Sequence, residues 1–372
     1  MRRSLLAALL GACLLLALLF ASNFGSAAPS ARAPKGFFGI GPQTGLTPAD
    51  LRYMKAGGIE SLRLPVPWNG VEPEKGVQNW TGMDEAVALA SQAGLRVLPF
   101  IYGTPPWLSR DWRRLAVDNA HQRAAWRSFL RAAVARYGPG GEFWDERAPG
   151  IVTYEPAIPN PIPIREWQIG NEVNFFYFAY PVSVGRYARL VKLAAPAIRS
   201  VDPKAKIILS GLFGEPTARG KRGMDADDFL ARLYKVRGIK SRFDGVALHP
   251  YAVDAETLEE MIEGLYEVAR ENRDRPGLYV TEMGWGSESN FEEVAFEQGV
   301  RGQVKQLRDS YAFMLENSRR LNLKAAYWFS WKDLPGSCTF CDSAGLFRAG
   351  PSFRAKPAWH AFVKITGGKA RP

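Results

Sequence analysis

The chain has 372 residues, 47% of them hydrophobic, which is long for one ordinary domain and ample for a large core. Its net charge of +11 comes from scattered Lys and Arg rather than a block, which sets aside a nucleic-acid partner and leaves an acidic polymer or an anionic envelope as compatible surroundings.

Arg2 and Arg3 precede an apolar run from Leu5 to about Phe24, and the small residues Ser26, Ala27 and Ala28 follow. This is the charged, apolar, small-residue order of a secretory leader, expected over residues 1–28. The run approaches the ~20 residues that span a bilayer, so an uncleaved membrane anchor is the alternative. Cys13 is a poor lipid site because the apolar run continues past it. Either way the body is expected outside the cytoplasm, extracellular or in the cell envelope. Residues 29–36 read as a linker, 37–366 as one domain and 367–372 as a tail.

Phe37–Gly41 reads as the first strand. Thr47 is the expected N-cap of a helix with Pro48 in its first turn, stopped at Gly57 and Gly58. Ser61–Leu64 forms the second strand, ended by Pro65 and Pro67, and a helix over Met83–Ala93 leads to the third, Arg96–Ile101. A helix over His121–Tyr137 precedes a Gly/Pro-rich excursion, 138–165. The fourth strand, Trp167–Ile169, runs into Gly170, Asn171 and Glu172. Helix Ser183–Ser200, strand Lys206–Ser210, helix Asp225–Val236, strand Phe243–Leu248 and helix Ala255–Asn272 follow. Tyr279–Thr281 ends in Glu282, a helix spans 292–318, Ala325–Ser330 ends at Trp331, and a helix over Pro357–Val363 closes the chain. Strands alternating with helices predict a parallel sheet, and eight such units predict a closed (β/α)8 TIM barrel in the α/β class. The first strand has no Gly-rich nucleotide fingerprint, which argues against an open doubly wound sheet.

In such a barrel the working side chains stand at the carboxyl ends of strands. Reading those ends gives Arg63, Trp107, Asn171, Glu172, His249, Tyr251, Glu282 and Trp331. A buried strand that delivers a carboxylate is hard to explain by packing, since a buried charge is costly unless paired or used. Strands four and seven each deliver one, and they face each other across an eight-stranded barrel. Cleavage of a glycosidic bond needs one carboxylic acid to protonate the leaving oxygen and a second carboxylate to attack carbon or activate water. The 11 Trp, 13 Tyr and 21 Phe add platforms for the apolar faces of sugar rings.

The Asn171-Glu172 pair after strand four, with Glu282 closing strand seven, resembles the retaining glycoside hydrolases of clan A over residues 37–363, family 39 first and family 5 second. The resemblance implies Glu172 as general acid and then base, Glu282 as nucleophile, and Asn171 on the 2-hydroxyl of the sugar. It implies Tyr251 bonded to Glu282, His249 lining the same subsite, Arg63 beneath the nucleophile keeping it ionised, and Trp331 as sugar platform. Trp107 is the second aromatic candidate. Val173 and Asn174 follow the acid where family 39 xylosidases tend to carry Pro, which leaves the sugar open.

The expected partner is therefore a carbohydrate, an oligo- or polysaccharide, with no metal and no organic cofactor. Cys338 and Cys341 suit a local disulfide or free thiols, because a metal site would need ligands from three histidines far off in sequence. Transglycosylation and a non-catalytic sugar-binding barrel are the alternatives to hydrolysis. The segments 138–165 and 335–350 are expected to wall the cleft, and Glu166, which begins its strand, is expected at the opposite face or in an ion pair. The sequence does not fix the oligomeric state.

Overall fold

The computed structural model describes residues 33–145, 160–290, 295–338 and 340–372. The expected leader and the first half of the linker, 29–32, lie outside the described residues. Among those described, no helix is long and apolar enough to cross a membrane.

Eight parallel strands close into a barrel in the order β1 to β8: Phe38–Ile40, Ser61–Pro67, Arg96–Tyr102, Glu166–Asn171, Lys206–Phe213, Gly245–His249, Gly277–Met283 and Leu323–Trp328. The barrel is sealed where β1 pairs with β8 through Phe38, Gly39 and Ile40. The expected (β/α)8 fold is the observed one. Helices Pro48–Ala56, Thr81–Gln92, Ala120–Tyr137, Val184–Arg199, Ala226–Tyr234, Ala255–Glu271, Gly299–Asn317 and Pro357–Thr366 pack outside it. Their start signals are those the sequence carries. Thr47 accepts from the Asp50 amide while Asp50 accepts from Thr47, and Asn119, Ser183 and Asp254 cap three further helices.

Two boundaries differ for physical reasons. Strand β2 runs through Pro65 to Pro67, paired with Phe100 and Tyr102 of β3. Its other neighbour, β1, pairs only through Gly39 and Ile40. The two prolines, two residues apart and so facing the same side, turn their missing N–H to the side where no ladder partner exists. The helix expected from residue 292 begins at Gly299. Before it, Glu297 is buried as a loop anchor, accepting from the Ser343 hydroxyl at 2.7 and 2.8 Å and from the Glu288 amide at 2.8 Å.

The excursion 138–165 needs correcting. Residues 146–159 lie outside the described residues. At one described end, Phe143 and Trp144 pack together, Phe143 against Tyr137. At the other, Ile162–Arg165 line a cavity at the amino ends of the strands. A segment that leads from a helix into the next parallel strand arrives at the amino end, opposite the site, so these residues do not wall the cleft. Glu166 sits in that same cavity, accepting from the Tyr279 hydroxyl at 3.1 Å with Lys206 at 3.8 Å.

Candidate active site

A cavity of about 950 Å3 opens at the carboxyl end of the barrel. Asn171 and Glu172 from the end of β4, Tyr251 after β6 and Glu282 from β7 line it. Glu172 holds a backbone φ of 40°, in the left-handed region that non-glycine residues avoid. The turn is pinned from β5: the Glu172 amide donates to the Gly211 carbonyl at 2.9 Å. The Asn174 side chain accepts from the Phe213 amide and donates to the Phe213 and Met224 carbonyls. A strained residue held by its surroundings is characteristic of a working site.

Arg63, on β2, is the hub. Its guanidinium donates to Glu282 Oε1 at 2.5 Å, to Asn171 Oδ1 at 2.6 Å and to Gln168 Oε1 at 2.7 Å, and lies 3.8 Å over the Phe100 ring. The Tyr251 hydroxyl donates to Glu282 Oε2 at 2.7 Å. Burial, with the Glu282 charge second, pushes the Tyr251 phenol well above its usual range, so it serves as a donor. Since Oδ1 of Asn171 is taken by Arg63, its amide NH2 is the group left to donate to a bound molecule.

His249 is fully buried and does not line the cavity, which corrects its expected place in the subsite. It stands behind the acid, Nδ1 at 2.8 Å from Glu172 Oε1 and 3.6 Å from Glu282 Oε2. Among the described residues its Nε2 has no hydrogen-bond partner, and it is pressed against Gly211, where an added Cβ would lie 2.0 Å from it. We therefore assign the Nδ1–H tautomer, donating to Oε1 and leaving Oε2 of Glu172 to carry a proton. Burial, then the Arg63 charge, holds the imidazole well below its ordinary pKa, so it is neutral. Burial and the neighbouring Glu282 charge push the Glu172 carboxyl well above the usual range.

Glu172, His249 and Glu282 each offer one donor atom, all within 4.8 Å, so three ligands for a cation stand together. The guanidinium already faces Glu282 and the imidazole nitrogen already faces Glu172, so the existing partners satisfy the set.

The two tryptophans are corrected. Trp331 is fully buried, its indole N–H donating to Asp50 at 2.8 Å, its ring packed on Phe347 and Trp359. Three residues past β8, it has turned out of the barrel axis; Phe329 lines the cavity instead. Trp107 donates to the Glu72 carbonyl and packs on Trp68, away from the lining. The aromatic wall is made of Phe and Tyr: Phe100, Tyr102, Phe175, Phe178, Phe213 and Phe340 are among it. The sequence carried a signal for it in Phe175–Phe178, a run of aromatics that starts after Val173 and Asn174. Gln168 carried one too, as a polar side chain two residues before Gly170 on a buried strand. From the loop 335–350, Cys338 and Phe340 reach the cavity as expected. Cys338 is disulfide-bonded.

A family model for glycoside hydrolase family 42, beta-galactosidase, matches residues 43–133, which include Arg63 and neither glutamate. A mouse (Mus musculus) beta-galactosidase-1-like protein is 32% identical over 95 residues, covering 22% of this chain and 14% of that protein. Among solved structures, a family 39 glycoside hydrolase from Bacteroides cellulosilyticus WH2 has a TM-score of 0.63 at 20% identity, covering 91% of this chain and 65% of that one. The GH53 catalytic domain of Ignisphaera aggregans has a TM-score of 0.59 at 18% identity, covering 91% and 97%. A monomeric beta-xylosidase from Caulobacter crescentus CB15 has 0.58 at 17%, covering 90% and 69%. At these identities the likeness is one of fold, and the sequence matches span short segments of both chains.

Proposed function

We propose that the protein is a retaining β-glycoside hydrolase of the clan A type, acting outside the cytoplasm on an oligo- or polysaccharide. The carrying observation is a carboxylate oxygen of Glu172 within 4.8 Å of one of Glu282, one carboxyl disposed to hold a proton and the other paired with a guanidinium. Carboxyls about 5–5.5 Å apart suit direct attack, whereas inversion needs room for a water at about 6.5–9.5 Å. The fold of the glycosidases above supports the same reading, and the leader pattern of residues 1–28 supports export.

In the first step Glu282 attacks the anomeric carbon while Glu172 gives its proton to the departing oxygen. A glycosyl ester forms on Glu282, the glycosidic bond breaks and Glu172 is left as a carboxylate. Esterification removes the Glu282 charge, the second cause of the raised Glu172 pKa, so the carboxylate form becomes easier to hold. Glu172 then takes a proton from water, the water oxygen bonds the anomeric carbon, and the ester opens. Arg63 and Tyr251 hold the two Glu282 oxygens, so the attacking group arrives oriented. Asn171 donates to the sugar hydroxyl beside the reacting carbon, where such bonds strengthen in the transition state.

The test is Glu282→Gln assayed on a panel of β-glycosides. Turnover is expected to fall at least about a thousandfold on all of them, with the melting temperature little changed. Near-native turnover on any substrate rules the mechanism out.

A further inference from the structure

The amino end of the barrel holds a second cavity, of about 430 Å3, that the proposed chemistry does not use. Six cations line it: Lys35, Arg96, Arg165, Lys204, Lys206 and Lys324. Arg96, Lys206 and Lys324 begin or nearly begin β3, β5 and β8, so the closed sheet arranges them around the barrel axis. Among the described residues only Glu166 lines the cavity with the opposite charge, and it is shared by Tyr279 and Lys206. Arg165 is paired with Asp202. Among the described residues, no carboxylate lies within ion-pair distance of Lys35, Arg96, Lys204 or Lys324.

The arrangement is more than a solvated rim. Arg96 lies across Gly36, φ 80°, so closely that an added Cβ would overlap its guanidinium, and it donates to the Lys35 carbonyl at 3.3 Å. That contact fixes Arg96 at the mouth of the cavity. Ser61, Tyr279 and Tyr327 reach it from the barrel interior, and burial keeps both phenols protonated as hydroxyl donors. Cations that face one another without counter-charges repel. The Tyr279 hydroxyl is spent on Glu166 and that of Ser61 on Tyr327, which leaves the Tyr327 hydroxyl to donate at the base. This concave basic set matches a group with several anionic oxygens.

The geometry points to a binding site for a phosphate group at the amino end of the barrel, opposite the catalytic mouth. The headgroup of an anionic lipid is the favoured source. Pro34 and Lys35 line the cavity, and the chain continuing from them carries the apolar run Leu5 to Phe24. A basic patch and an apolar run in one chain give the two signals that stable membrane attachment needs, each basic side chain near an anionic surface adding to the affinity. Bound in this way, the protein presents its mouth away from the membrane.

The test uses the full chain beside a variant carrying Lys204→Gln, Lys206→Gln and Lys324→Gln. All three lysines are exposed, and an unchanged circular dichroism spectrum checks that the variant folds. Each is mixed with vesicles of phosphatidylcholine alone or with added phosphatidylglycerol, and separately titrated with inorganic pyrophosphate while melting is followed. A salt-sensitive preference for phosphatidylglycerol of about tenfold or more, lost in the variant, supports the lipid source. A pyrophosphate-dependent rise in melting temperature, absent from the variant and without vesicle preference, supports a soluble phosphate compound as the source. Neither response in the parent protein, or equal responses in both, overturns the site. No outcome depends on glycosidase activity, so this inference and the proposed function can fail separately.

Discussion

At the carboxyl end of the barrel the charged groups are buried and each has a partner: Glu282 with Arg63 and Tyr251, Glu172 with His249. At the amino end they are exposed, six of one sign against Glu166, and several have no partner among the described residues. The same eight strands deliver both sets, because parallel strands put all their first residues at one end and all their last residues at the other. The end proposed to do chemistry sets its charges against one another inside a low-dielectric pocket, where they shift pKa values. The other end leaves its charges in water, where they can only attract.

That contrast breaks most readily at the acid. After the loss expected for Glu282→Gln, the next largest effect is that of Glu172→Gln. It should cost about a hundred- to ten-thousandfold in kcat on substrates with poor leaving groups, and far less on activated aryl glycosides that need no proton. Equal losses on both would remove Glu172 from the role of acid. The pH profile comes next. A carboxyl raised by burial and by Glu282 keeps its proton to higher pH, so activity should fall on the alkaline side as Glu172 ionises. In Glu282→Gln the charge is gone and burial remains. The titration of isotope-labelled Glu172 should therefore move down yet stay above the ordinary carboxylate range, read by NMR. An upward move would contradict the coupling.

The smallest effects separate cavity wall from core. Phe329→Ala should raise KM about tenfold, since it lines the cavity, and also cost about 3 kcal/mol of stability, since its buried ring packs on Tyr251 and Phe340. Trp331→Phe should cost about 2–4 kcal/mol of stability, through a lost hydrogen bond to Asp50 and lost packing, and leave KM unchanged. Denaturant melts and initial rates on the two variants decide it, and the reverse pattern would restore Trp331 as the platform.

Strand ends were readable in the sequence because packing alone rarely sets a polar residue at the close of a buried apolar run. Asn171, Glu172, Tyr251 and Glu282 stand together at the mouth, and the Arg63 guanidinium, which only the family resemblance set beneath Glu282, donates to it. What sequence could not supply was the direction of a side chain once its strand had ended. Trp331 sits only two residues past Phe329, and both are buried, yet of the two Phe329 alone lines the cavity. His249 lies at a strand end too, but the missing side chain of Gly211 lets the ring sink behind Glu172. The excursion 138–165 precedes a strand, so the end of it that leads into β4, Ile162–Arg165, lies at the floor of the barrel and not at its mouth.

Glu297 has a mechanical consequence. Its carboxylate, sunk between the segments that follow β7 and β8, is gripped by Ser343 and by the Glu288 amide, while Lys356 holds the Ser343 carbonyl. Phe296 sits one residue before this clasp and Phe340 three residues before Ser343, with their rings 5.3 Å apart. The two segments are thereby riveted into a single panel. A ligand that pushes on either ring must swing both, so that side of the mouth widens or narrows as a unit rather than residue by residue.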